Sequence, residues 1–206
     1  MKGGVLVKKL SLGLVALFSF VGVVTAPAAQ AAVNCNQGYS QPFAQWGDYG
    51  YYALAPNGSF EGNTASGWSL AGGATVKSPG NPLRQGRFAL SLPKGSTATS
   101  PPICVEAGSP HARMFALTST RNSSVGAALR VELVYTDVGT GQSTIRAVGT
   151  LAQRSSWSPT ERMALGGPVN IKPGADGRLT VRYRFTPIYS TAWMIDDLFI
   201  DPKKAR

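Results

Sequence analysis

The clearest signal along the chain is alternation. In residues 127–136, Leu129, Val131, Leu133 and Tyr135 alternate with Arg130, Glu132 and Val134. In residues 178–186, Leu179, Val181, Tyr183 and Phe185 alternate with Thr180, Arg182 and Arg184. A period of two sends successive side chains to opposite faces of a sheet, so each segment predicts a strand with one face on a core and one in solvent. Shorter runs at 73–77, 88–92, 100–105, 113–118, 144–152 and 192–201 read the same way. Turn signals such as Pro79-Gly80-Asn81-Pro82, Pro93-Lys94-Gly95, Gly108-Ser109-Pro110 and Gly139-Thr140-Gly141 separate them. No window carries a helical period and no repeat is evident. The pattern predicts an all-β chain, a single antiparallel β-sandwich.

Composition agrees. With 206 residues, 43% of them hydrophobic, the chain has material for one core, and 24 Gly with 14 Pro speak for turns over helices. Residues 1–31 stand apart. Lys2, Lys8 and Lys9 precede an apolar run over 10–24, then Pro27 and the small-residue stretch containing Ala29-Gln30-Ala31. This is the layout of a signal peptide cleaved after residue 31. The run falls short of the roughly 20 residues that a membrane span needs, so no stable membrane anchor is expected after cleavage. Asn34 stands before Cys35 where a lipobox needs a small residue. The expected localisation is secreted, extracellular.

Export changes how the charge is read. The whole chain carries +10, and losing the three leader lysines leaves 17 basic against 10 acidic residues, or +7. No Lys/Arg run exceeds two residues, and an exported chain predicts no nucleic-acid partner. The charge points either to anionic cell-surface polymers or to solubility alone. Two cysteines in an exported chain are expected to pair. A Cys35–Cys104 bridge closes a loop of about 70 residues, worth roughly 4 kcal/mol in the chain-entropy view. It would tether residues 32–56, an aromatic stretch without periodicity (Tyr39, Phe43, Trp46, Tyr49, Tyr51, Tyr52), expected as an N-terminal extension wrapped on a domain at 57–206.

Catalytic material is scarce. The one histidine, His111, is expected in a Gly/Pro-flanked turn, and the mature chain has only four glutamates: Glu61, Glu106, Glu132 and Glu161. Zinc ligands, a nucleophile elbow and a phosphate-binding glycine loop before a helix are all missing from the sequence. No enzyme activity is expected.

Two short stretches bracket the domain. Asn57-Gly58-Ser59-Phe60-Glu61, with Gly67-Trp68 after it, opens the regular part, and Trp193-Met194-Ile195-Asp196-Asp197-Leu198 closes it. The pair resembles the ends of galactose-binding-like jelly-roll domains, especially carbohydrate-binding modules of the xylan- and glucan-binding type. The resemblance implies a jelly-roll sandwich and a non-catalytic domain that recognises a polysaccharide, neutral or acidic, at the cell surface or beyond it. It also implies a structural Ca²⁺ shared by Glu61 and Asp196, completed by main-chain oxygens. Alternation places Asp196 with Leu198 and Ile200 on the core face and Asp197 on the other. The competing reading bonds these acids to backbone amides or to an arginine. A structural or protein-binding envelope sandwich is the alternative function, since this architecture hosts many.

For ligand contact, Trp46, Tyr135, Trp157 and Tyr189 are the candidate aromatic platforms, with Trp68 and Trp193 assigned to the core. Trp157, between Ser155-Ser156 and Ser158-Pro159, is either a rim platform or a staple for the next strand. The polar faces of the two alternating strands offer Arg130, Arg182 and Arg184. Sharing a sheet, they would form a basic stripe suited to carboxylates or phosphates. The competing reading is cross-strand pairing of Glu132 with an arginine.

Overall fold

A computed structural model describes residues 1, 3, 35, 37–106, 110–119, 127–165, 167–189 and 191–201. Apart from Met1 and Gly3, the expected signal peptide lies outside the described residues. Val33–Arg206 forms one compact unit. Its described strands are β1 (Tyr39–Ser40), β2 (Tyr52–Leu54), β3 (Ser69–Ala71), β4 (Thr75–Lys77), β5 (Ala89–Leu92), β6 (Thr97–Thr99) and β7 (Ile103–Val105). They continue as β8 (His111–Thr118), β9 (Ala128–Thr136), β10 (Ser143–Ala152), β11 (Ser158–Pro159), β12 (Met163–Ala164), β13 (Leu179–Ile188) and β14 (Trp193–Asp201).

The strands make the expected antiparallel sandwich. In the first sheet β14 is central, with β8 along one side and β5 then β2 along the other; β4 and β1 extend the latter edge, and β11 and β12 pair with β8. In the second sheet β10, β9 and β13 lie in order, with β6 and then β3 beyond β13 and β7 beside its start. Alternation explains what each sheet buries. Leu129, Val131, Leu133 and Tyr135 of β9 and Val181, Tyr183 and Phe185 of β13 turn inward. There they meet Leu90, Leu92, Met114, Trp193 and Ile195 from the first sheet. Phe60 of the opening motif is fully buried in this core, its ring centroid 5.1 Å from that of Trp68. Trp68 and Trp193 are core residues, as expected.

The aromatic stretch expected as a wrapped extension enters the sheet. β1 and β2 pair with each other, and β2 pairs with β14, so residue 57 is not a structural boundary. Between these strands Phe43 is buried on the outer face of the first sheet in a second cluster with Tyr52, Phe115 and Phe199. Asp48 ties this segment down: it accepts from Tyr52 Oη at 2.7 Å and Arg162 Nη2 at 2.6 Å, and it pairs with Arg113. Arg113 in turn lies over the Phe43 ring at 4.2 Å and donates to the Thr160 carbonyl. The Cys35–Cys104 bridge is formed, joining the segment's start to β7. His111, expected in a turn, begins β8.

One expectation about β14 fails. Asp197 has φ +52°, and the register slips there: Asp196 lies opposite Phe115, yet Phe199 lies opposite Arg113. One extra residue is a β-bulge, and it reverses the alternation. Trp193, Ile195, Leu198 and Ile200 line the main core, whereas Asp196 falls on the face that carries Phe115 and Phe199.

Candidate functional site

Two places in the sandwich collect the residues singled out by chemistry. The first is the rim where the two ends of the domain meet. Leu198 donates to the Gly58 carbonyl, and Ala55 donates to the Leu198 carbonyl, which knits the opening motif to the bulge of β14. The segment Asn81–Arg87 closes over the bulge. Asn81 N donates to Asp196 Oδ2 at 3.1 Å, Asn81 Nδ2 to Asp197 Oδ2 at 3.3 Å, and Asp197 N to Asp196 Oδ1 at 2.8 Å. Glu61 accepts from Arg87 N at 2.9 Å and Phe88 N at 3.4 Å. A Cβ at Gly86 would stand 3.0 Å from both Asp196 Oδ2 and Asn81 N, so this close approach requires glycine.

The backbone-amide reading of these acids therefore holds in part, but the charge is not balanced. Asp196 is 1% exposed and has no cationic side chain within salt-bridge distance among the described residues; Arg84 reaches only Asp197, at 3.6 Å. Burial first, and then the neighbouring Asp197 charge, pushes the Asp196 carboxyl up to about 8, and Glu61 adds to the same shift. Burial likewise raises Asp197, against the pull of Arg84. An all-oxygen donor set with surplus negative charge suits a hard divalent cation. Among the described residues no three acidic, histidine or cysteine side chains form a metal-holding group, so such an ion would draw on Glu61, Asp196 and main-chain oxygens.

The second place is the outer face of the six-stranded sheet. β9 and β13 are neighbours, so their polar residues share one face, as expected. Arg130 stands between Thr186 on one neighbour and Thr150 on the other. Glu132 lies between Arg184 and Ala147, and Val134 lies between Arg182 and Ile145. Thr99 of β6 stands beyond Arg184. The cross-strand reading is right for one arginine: Arg184 Nε donates to Glu132 Oε2 at 2.8 Å, and Glu132 is 8% exposed beneath this pair. Arg130, exposed, and Arg182, half-buried, have no acidic partner within 4.0 Å among the described residues.

The aromatic candidates do not join this face. Tyr135 is a correction: it is 7% exposed and packed in the main core, because its strand position is in step with Leu129, Val131 and Leu133. Trp157 and Trp46 lie partly buried against the second cluster, on the opposite sheet. Trp157 packs on that cluster and also lines an open groove of about 460 Å³ with Leu83, Leu117, Ser155 and Ser156. Tyr189 is 59% exposed just past β13. Thr150, Thr186, Val134 and Ile145, the immediate neighbours of the free arginines, were not singled out from sequence. For Ile145 the signal is the hairpin turn at 139–141, which starts the β9–β10 register; Thr150 lies beyond a register shift at Ala147–Gly149, and Thr186 belongs to β13.

No protein-family model matches the chain, and no curated protein does. Solved structures do. The CBM22-1–GH10 modules of Clostridium thermocellum endo-1,4-β-D-xylanase 10B, complexed with xylohexaose, superpose with a TM-score of 0.51 at 15% identity over 72% of this chain. The CBM22-1–CBM22-2 tandem of Paenibacillus barcinonensis Xyn10C gives 0.50 at 16% identity over 71%. This chain spans 28% and 44% of those two proteins. At such identities the likeness is one of fold: the sandwich is the jelly roll of carbohydrate-binding modules, as the end motifs implied.

Proposed function

We propose that the protein is a secreted, non-catalytic module that binds a polysaccharide at or outside the cell surface, with the outer face of the six-stranded sheet as its binding surface. One observation carries the reading: on a fold shared with carbohydrate-binding modules, this face presents two unpaired arginines among threonines, held on rigid strands. Guanidinium and hydroxyl groups match the hydroxyl and carboxyl groups of sugars. The disulfide accords with an oxidising compartment. A bound Ca²⁺ at Glu61 and Asp196 belongs to the same reading as a clamp between the ends of the domain, taking no part in ligand contact.

The test is a co-sedimentation and affinity-electrophoresis panel of neutral and acidic polysaccharides with the purified protein and calcium present. Retardation by at least one polysaccharide, weakened by Arg130→Gln or by Arg182→Gln, is the expected result. Binding to none of them, alongside a protein partner recovered from the cell surface, would replace this reading with that of an envelope protein-binding domain.

A further inference from the structure

We infer that the polymer recognised by this face is acidic, a chain of uronic-acid units whose carboxylates are held by Arg130 and Arg182. The inference rests on the polysaccharide-binding reading and names the ligand class of the same surface.

The arginines of the molecule divide sharply between paired and unpaired. Away from this face, Arg113 and Arg162 share Asp48, Arg154 meets Glu161 at 2.6 Å, and Arg84, Arg87 and Arg178 lie 3.6–3.9 Å from Asp197, Glu61 and Asp176. With Arg184 on Glu132, seven of the ten described arginines have an acidic partner. The other three all belong to the six-stranded sheet: Arg130, Arg182 and Arg146. Arg146 lies opposite Leu133, out of step with the outer face, and donates to the Pro168 carbonyl. Arg130 and Arg182 remain, both on the outer face, one on each side of the Arg184–Glu132 pair.

Their spacing is regular. Thr186, Arg184 and Arg182 are successive same-face positions of β13, and Arg130 lies opposite Thr186, so the backbone positions of the three arginines step by about 7 Å along the strand direction. Only the middle one is neutralised from within. An exposed sheet ordinarily solvates its arginines with cross-strand acids. Here one glutamate serves three arginines, and the surplus sits where the strands hold it in place.

The surroundings suit a sugar that carries an acid. Thr150 and Thr186 flank Arg130 with hydroxyls, while Val134 and Ile145, the latter 45% exposed, give Arg182 an apolar neighbour for a pyranose ring face. Of the aromatic residues, Tyr135 and Tyr183 turn inward and Trp46 and Trp157 belong to the other sheet, while Tyr189 stands exposed just past the end of β13. A neutral chain would offer both guanidiniums hydroxyl acceptors but no opposite charge. A uronate chain supplies the bidentate oxygens that a guanidinium fits.

The experiment measures binding of polygalacturonate, alginate, a neutral xylan, methyl-esterified polygalacturonate, poly(glycerol phosphate) and duplex DNA by the wild type, by Arg130→Gln/Arg182→Gln, and by Lys77→Gln/Lys94→Gln. The last variant removes the same charge from outside the face. Preferential binding to a uronate polymer is expected, with affinity falling about tenfold or more in the arginine variant and within about twofold of wild type in the lysine variant. Esterification should cost as much as the arginine substitutions, and added salt should weaken wild-type binding. Equal binding of neutral xylan, untouched by the arginine variant, would overturn the acidic assignment and leave polysaccharide binding standing. Preference for the phosphate polymer or for DNA would overturn the carboxylate assignment. Binding to no polysaccharide would remove both readings. Both double variants alter surface residues and should melt like the wild type, so lost binding is not lost fold.

Discussion

Substituting Asp48 with Asn tests whether the N-terminal aromatic segment is an integral part of the sandwich. Asp48 is 7% exposed and Arg113 is 9% exposed, and the charge they share is the centre of the contact between residues 43–52 and β8. Asparagine keeps the shape, and its single oxygen can still accept from Gly50 N while its amide nitrogen faces Tyr52 Oη as a donor, but it leaves the Arg113 guanidinium buried with the Thr160 carbonyl as its remaining acceptor. Removing one partner of a buried pair costs about 3–5 kcal/mol, and the retained hydrogen bonds put this case near the lower end. The Arg162 side chain is 56% exposed, so its pairing adds less than about 1 kcal/mol. For a domain of this size, a loss of about 3 kcal/mol lowers Tm by about 6–12 °C.

Circular-dichroism melts at pH 7 read this directly, and pH supplies a second reading. Burial opposes ionisation of Asp48, but hydrogen bonds from Arg162, Tyr52, Gly50 N and Arg113 outweigh it and hold the carboxyl well below the usual carboxylate range. A carboxyl depressed in the folded state stabilises fully above its unfolded value near 4, and that stability is lost as pH falls below it. The gap between wild type and Asp48→Asn should therefore be constant from pH 5 to 7 and narrow below about pH 4. An Asp48→Asn protein melting within about 2 °C of wild type at pH 7 would refute the reasoning, because the pair would then contribute no more than an exposed one.

Two further outcomes follow from the same structure. Reducing the Cys35–Cys104 bridge, or replacing both cysteines with serine, should destabilise the protein by up to about 4 kcal/mol for its sequence separation of 69, measured by urea denaturation; an unchanged midpoint would show that the bridge constrains nothing. Calcium should raise Tm and chelator lower it, while Glu61→Ala or Asp196→Ala should abolish the difference. A wild type whose melting ignores chelator would remove the ion from the rim.

Period-two alternation held along β9 and β13, which are long and have one face toward solvent, whereas β10 carries a register shift between Ala147 and Gly149. β9 runs over Ala128–Thr136 against an expected 127–136, and its inward residues are the ones that the pattern named. Tyr135 shows the same rule working against a choice made on chemistry: its register placed it in the core, while its ring suggested a sugar platform. β1 and β2 were invisible for a different reason. They are two and three residues long, too short for a period, and are held by contacts across 65 and 114 residues, from Asp48 to Arg113 and Arg162. Nothing local to residues 39–54 encodes partners that far away. At Asp197 the failure is one of counting, since a single residue at positive φ reverses every face downstream of it. The paired aspartates were the visible trace of that bulge, and only the backbone explains why both are buried.

The binding face was half legible for a related reason. Alternation tells which arginines share a face once their strands are adjacent, and Arg130, Arg182 and Arg184 were grouped correctly on that ground. It does not tell which of them Glu132 neutralises, because that depends on the register between β9 and β13. A shift of two residues would pair Glu132 with Arg182 and leave Arg184 free. The net charge of the chain is equally silent, since most described arginines elsewhere are already matched to acids from distant segments. The significance of Arg130 and Arg182 lies in what surrounds them: seven arginines have found carboxylates within the protein, and these two, held on the same rigid face, have not. A guanidinium paired with a carboxylate of the protein is held within the fold, whereas on the proposed binding face two of them, among threonines, keep their bidentate hydrogen bonding for a partner from outside.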